Sequence, residues 1–143
     1  DRTALLEAGA LVAEGPSQTL FERPPTRVAA TLLGITTFFT GVARDGAVAT
    51  PAGTFAIDAH EVVGPVTCAI RSEHVRVVST GGPNTLDGVV VDCTYRGEFW
   101  EITVDTPLGA IRARSATGRP RGDRCAIRLD PEQCFVVDDP TRP

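Results

Sequence analysis

The run Gly9–Gly34, G-A-L-V-A-E-G-P-S-Q-T-L-F-E-R-P-P-T-R-V-A-A-T-L-L-G, decides how the rest of the chain is read. Before it, Thr3–Leu6 is a short apolar run, and Ala10–Ala13 is another. Glu7-Ala8-Gly9 separates the two, so the pair reads as a hairpin with Gly9 supplying the positive φ of the turn. Gly15-Pro16 then opens a helix, since a proline at the first helical position loses only an N–H that has no partner there. Leu20 and Phe21 are its apolar contacts, and Pro24 ends it at Arg23. Pro25 opens a second helix, in which Val28, Ala29, Leu32 and Leu33 recur on one face and Gly34 is the C′ residue.

Outward from this stretch the period changes from helical to two. Phe38–Ala43, Ala47–Thr50 and Thr54–Ile57 read as strands joined by Asp45-Gly46 and Pro51-Ala52-Gly53. Val66, Cys68 and Ile70 alternate with Thr67, Ala69 and Arg71, as in a half-buried strand. Ser72-Glu73-His74 interrupts it, and Val75–Val78 resumes before the loop Ser79–Asn84. In Val89–Tyr95 the residues Val89, Val91, Cys93 and Tyr95 share a face. Trp100, Ile102 and Val104 point to the core from the next strand. Ile111 and Ala113 face inward with Arg112 and Arg114 outward, and Cys125, Ile127 and Leu129 follow the same rule. Asp130-Pro131 caps a single helical turn before the last strand, Cys134–Val137. Short strands with frequent Gly and Pro turns give a mainly β fold, a small OB-like barrel preceded by a hairpin and two short helices. A sandwich is the alternative.

The chain of 143 residues has the size of one ordinary domain, and its net charge of −4 argues against a general nucleic-acid binder. There is no Met, which points to a piece of a longer protein, and there is no Lys, so all 14 Lys or Arg positions are arginine. Without Lys no P-loop is possible, and no G-x-S-x-G or H-E-x-x-H pattern is present, so this stretch is not expected to be an enzyme. Cys68, Cys93, Cys125 and Cys134 form no C-x-x-C pair, and His60 and His74 are not spaced as zinc partners; reduced thiols in apolar runs are expected.

Several segments, in order, resemble one family. Asp1-Arg2, Gly9, Gly15-Pro16, Leu20-Phe21-Glu22-Arg23-Pro24, Val28-Ala29 and Leu33-Gly34 are similar to the end of the nucleotide-binding domain of importer-type ABC ATPases. Ala69-Ile70-Arg71-Ser72-Glu73-His74-Val75 is similar to a Gly-Ile-Arg-Pro-Glu-His-Leu segment of the transport-associated OB (TOBE) domain that follows it. Tyr95-Arg96-Gly97, Gly122-Asp123-Arg124 and Asp130-Pro131-Glu132-Gln133-Cys134 also fall in the family's order. Ala69 replaces the family Gly and Ser72 the family Pro, which frees one φ angle in that turn.

The resemblance implies that residues 1–36 are the tail of a nucleotide-binding domain and residues 37–143 a TOBE regulatory domain, in halves of about 38–80 and 84–138. It implies a regulatory and dimerisation role in the ATP-binding subunit of an ABC importer, a parent transport ATPase. ATP and Mg would belong to the missing domain, with no cofactor here. Implied partners are a second copy, transmembrane permease subunits, and a small solute or regulatory protein, with no nucleic acid expected. The implied location is the cytoplasm, peripheral at the inner face of the membrane. The competing reading is a stand-alone OB-fold module for single-stranded nucleic acid or a small oxyanion; an orphan structural domain is a third.

Two polar groups are candidate sites. Arg71, Glu73 and His74 form either a structural turn or a regulatory ligand or subunit contact, with Arg71 and Glu73 able to pair. Arg112 and Arg114, with Arg119, Arg121, Arg124 and Arg128 nearby, form either a solvated face or an anion patch for which Tyr95, Phe99 and Trp100 are stacking platforms. If the hairpin and helices meet an absent domain, some of Leu20, Phe21, Val28 and Leu32 should be exposed.

Overall fold

The computed structural model describes residues 1–79 and 81–140. Its elements in order are β1 (Arg2–Glu7), β2 (Ala10–Pro16), α1 (Ser17–Glu22), α2 (Arg27–Leu32), β3 (Thr37–Arg44), β4 (Ala47–Thr50), β5 (Gly53–Ala56) and β6 (Gly64–Ile70). A 3-10 turn, Ser72–His74, leads to β7 (Val75–Val78), then β8 (Thr85–Tyr95), β9 (Trp100–Thr106), β10 (Gly109–Ser115) and β11 (Arg124–Leu129). A second 3-10 turn, Pro131–Gln133, precedes β12 (Phe135–Val137).

Ala8 and Gly9, with φ of 50° and 80°, form the two-residue turn of the β1–β2 hairpin. Positive φ at both central residues suits the twist of paired strands. Asp45 and Gly46, at 54° and 75°, repeat this between β3 and β4. A side chain at Gly46 would also strike the His60 ring at 2.3 Å.

Helix α1 starts one residue later than expected and α2 two residues later. Pro16 is still in the hairpin, opposite Arg2, and serves as N-cap of α1. Thr26, not Pro25, begins α2: its Oγ1 accepts from the Ala29 N–H at 3.1 Å. Pro25 is held outside by its carbonyl, which accepts from the Asp138 N–H at 2.9 Å. The end of α2 is as expected. Gly34 sits at φ 91°, its N–H reaches the Thr31 carbonyl at 3.1 Å, and the Ile35 N–H reaches that of Ala30 at 3.0 Å. This is a Schellman closure, and Ala30 and Ile35 share an apolar cluster as the motif requires.

The strands make two five-stranded sheets, ordered β12-β6-β3-β4-β5 and β10-β9-β8-β11-β7. In the second, the edge strands β10 and β7 come together in space, so the sheet curls into the OB-like barrel. The sheets exchange strands: β7 follows β6 in sequence but pairs with β11, whereas β12 follows β11 and pairs with β6. One continuous core, including Phe39, Val66, Ile70, Val90, Ile102 and Ile127, fills the space between them.

Two face assignments differ from expectation. Strand β6 is buried on both sides, because Ala69 packs outward with Ala30, Ile35, Phe135 and Val137 while Cys68 packs inward. In β8 the register shifts between Val90 and Asp92, a bulge that puts Val90 and Cys93 toward the core and leaves Val89, Val91 and Tyr95 exposed. The strand also begins four residues before Val89, with Leu86 buried. Of the expected loop Ser79–Asn84, Thr80 lies outside the described residues. Trp100 is partly buried on the core, its ring 5.0 Å from that of Tyr95.

Candidate functional site

Arg71 stands where β6 leaves the core, and it reaches the ends of both helices. Its Nη2 donates to the Phe21 carbonyl at 3.0 Å and its Nη1 to the Leu33 carbonyl at 2.9 Å. The guanidinium lies over the Phe21 ring, 3.8 Å from the centroid. The last carbonyls of a helix have no intrahelical partner, and they carry the negative end of its dipole. One buried cation therefore satisfies both helix ends. Only 9% of Arg71 is exposed, and its Nε is buried with no hydrogen-bond partner. Burial lowers the Arg71 pKa; Glu73 raises it and Arg114 lowers it further. Arginine remains charged under such shifts.

The neighbouring residues tie this point to the barrel. Glu73 pairs with Arg114 of β10 at 3.9 Å, so its ion pair is with Arg114. Arg114 in turn lies over the Phe99 ring at 4.1 Å. The His74 carbonyl accepts from the Asp130 N–H at 3.3 Å. Arg71, Glu73 and His74 thus come together, and with Phe21, Glu22, Gln133 and Phe135 they line a cavity of about 220 Å³. Sequence reasoning found the first three and missed the other four. Asp130-Pro131 reads as a cap, and nothing local in that run says that Gln133 lines the same cavity as Arg71.

Arg112 and Arg114 project outward from β10 as expected, each 3.9 Å from a carboxylate: Arg112 from Glu101, Arg114 from Glu73. Arg96 shares Glu101 at 3.1 Å. Their chemistry as placed is that of a balanced, exposed network. Of the named stacking residues, Tyr95 is exposed, and Phe99 and Trp100 are partly covered.

All four cysteines are free thiols. Burial pushes the Cys68 and Cys134 thiols up to about 12. Burial also raises Cys125, with Arg119 opposing. Among the described residues no group of three or more His, Cys, Asp or Glu is placed to hold a metal ion. None of the helices described is long and apolar enough to cross a membrane.

The hairpin–helix layer is fastened at a second point. Asp139, 4% exposed, takes the Arg27 guanidinium at 3.0 Å and the Thr67 hydroxyl at 3.1 Å. The Arg27 N–H donates to the Asp138 carbonyl at 2.8 Å, so the chain after β12 zips onto the start of α2. Even so, Leu6, Leu11, Phe21, Val28 and Leu32 are exposed, by 63%, 58%, 48%, 38% and 44%. Leu20 alone of the four residues named from the sequence is buried.

Comparison with known proteins gives two findings. Residues 68–137 match the family model of the TOBE domain. Among solved structures, the cytoplasmic molybdate-binding protein ModG, crystallised with molybdate bound, is similar with a TM-score of 0.60 at 11% identity, covering 73% of this chain and 97% of that chain. That likeness is one of fold. No curated protein sequence matches this chain.

Proposed function

Because the chain carries a TOBE domain, we propose that it is the regulatory and dimerisation part of the ATP-binding subunit of an ABC importer. On this reading residues 1–36 belong to the nucleotide-binding domain and residues 37–143 to the regulatory domain. ATP and Mg act in the missing domain, and the permease holds the whole subunit at the inner face of the membrane. The observation that carries it is the exposed apolar face of the hairpin–helix layer. Val28 and Leu32 line an open groove of about 260 Å³ with Glu7, Arg27, Thr31, Asp139 and Pro140. Contiguous apolar surface of this kind marks an interface. Arg71 and its cavity then stand at the joint between motor and regulator. A solute or protein that binds one arrangement of the joint better would bias the ATPase.

The test is the coding sequence upstream of Asp1. A P-loop, a metal-binding acid and a switch histidine just before Asp1 are expected; their absence ends this reading. Joined to that domain, the chain should lose the exposure of Phe21, Val28 and Leu32 to hydroxyl-radical footprinting.

A second reading, a small-oxyanion module, is favoured by one feature: the unpartnered Nε of Arg71 beside a small cavity. The molybdate bound by ModG makes that class of ligand the one to try. Glu22 and Glu73 line the same cavity and oppose an anion there. Titration calorimetry with molybdate and sulfate decides it; no heat at millimolar oxyanion removes the reading.

A further inference from the structure

Most of the described arginines face a carboxylate. Nine lie within ion-pair distance of a carboxylate: Arg2, Arg23, Arg27, Arg44, Arg96, Arg112, Arg114, Arg119 and Arg121. Arg71 is held by carbonyls. Three described arginines remain, Arg76, Arg124 and Arg128, and all three stand exposed on β7 and β11. They share the outer face of the barrel, opposite the inward side chains Val75, Ile127 and Leu129.

Arg128 is directly across from Arg76 in the β11–β7 ladder. Facing cross-strand side chains sit within about 5 Å, and like charges there are destabilising. A protein with net charge −4 has carboxylates enough to relieve this pair, yet none lies within 4.0 Å. Arg124 is four residues further along β11, about 13 Å away at the rise of a strand. Between them lies Ala126, whose small side chain is buried, with the exposed Asp87 directly across from it on β8. Val78 and the exposed Val89 flank this track, and Asp87 and Asp105 border it on the β8 and β9 side.

We propose that this outer wall of the barrel is a docking surface for an acidic segment of a partner protein. The occupant is chosen by what the wall has and lacks. It has guanidiniums spread along a strand-length track, with valines beside them, which matches an extended chain carrying carboxylates several residues apart. It has no aromatic side chain, so it offers no platform for stacking bases, the usual partner of basic residues in single-strand recognition. Its Arg124 end borders a cleft of about 460 Å³ that Asp87 also lines, and that carboxylate opposes a lone oxyanion there, whereas carboxylates spaced along a chain can meet the separated guanidiniums. The cost of the Arg76–Arg128 repulsion in the free protein is released when a carboxylate bridges them. This surface lies on the barrel, apart from the apolar face of the helices, and does not depend on the importer reading.

The experiment uses the full chain and a fluorescein-labelled poly-glutamate peptide, followed by anisotropy at low and physiological salt. Saturable, salt-weakened binding is expected, reduced about tenfold in the triple variant R76Q/R124Q/R128Q. The control R2Q/R44Q/R121Q removes the same formal charge from paired surface sites and should bind within about twofold of wild type. R128Q alone should keep or raise the thermal midpoint, which shows the loss is not one of folding. Absence of binding at low salt, or an equal loss in the control, overturns the proposal. A thymidine oligonucleotide that binds more tightly than the peptide, or full displacement by millimolar sulfate, also overturns it in favour of a nucleic-acid or small-anion surface.

Discussion

The double sheet and the hairpin–helix layer hold together by different means. Between the sheets one continuous cluster is closed from both sides, with Val90, Ile102, Val104, Ile127 and Leu129 fully buried. In the layer Ala13, Leu20 and Ala29 make a small cluster and Ala30 packs with Ile35 against Ala69, Phe135 and Val137, while Leu6, Leu11, Phe21, Val28 and Leu32 stay outside. Beside these small clusters the layer is fixed by polar, directional contacts: Arg71 on two carbonyls, Asp139 on Arg27 and Thr67, and Arg23 on Asp58 at 2.9 Å and on the Glu132 carbonyl at 2.6 Å. Burial is tolerant of small shifts, whereas hydrogen bonds fail over fractions of an ångström. The core therefore carries most of the buried apolar surface, and the layer depends more on a few polar contacts.

The largest effect that tests this contrast is in the core. Ile127→Ala should cost about 3–4 kcal/mol by urea denaturation, the usual loss for truncating a fully buried Ile. Tryptophan fluorescence and circular dichroism should report one shared transition. Two separated transitions would mean the sheets do not form a single unit. Next is Arg71→Gln, expected to cost about 2–3 kcal/mol through two lost charge-assisted hydrogen bonds. Its loss should be local: amide exchange quickens in α1 and α2, with β8 and β9 unchanged. Uniform acceleration would place Arg71 with the core instead.

Alkaline pH probes the core selectively. The thiols of Cys68 and Cys134 rise from 9.0 to about 12 on folding. A raised pKa means the unfolded thiol ionises first, so stability is level below about pH 9 and declines from there toward pH 12. The slope is about 1.4 kcal/mol per pH unit for each thiol. Urea midpoints across that range should fall, and Cys68→Ala should make the fall shallower; an unchanged midpoint to pH 11 would contradict the burial. The smallest effect is Leu32→Glu, within about 0.5 kcal/mol for an exposed site. That variant should instead abolish any association through the helical face, measured by sedimentation of the chain beside the wild type.

Much of the fold was legible because local chemistry carries it. The positive-φ turns at Gly9 and Gly46, the Gly34 closure and the Asp130-Pro131 cap lie within a few residues of their partners. The misreadings share one cause, which is that their determinants are distant in sequence. Pro16 and Pro25 are kept out of the helices by Arg2 and Asp138. The second buried face of β6 is made by α2 and β12. The bulge at Val91 shifts the phase of a strand whose valines run without a break, so period alone cannot place it. The site was legible as a cluster, Arg71-Ser72-Glu73-His74, and not as a geometry. The partners of Arg71 at Phe21 and Leu33, and of Glu73 at Arg114, lie far along the chain.

The exchange of β7 and β12 between the sheets also sets when each sheet can be finished. Strand β6 is complete by Ile70 but waits for Phe135–Val137, and β7 waits for Arg124–Leu129. Such separations must close large loops before any pairing is rewarded, which slows folding into the millisecond-to-second range. On the ribosome neither sheet can close until β11 and β12 emerge, so the earlier strands wait with open edges until then.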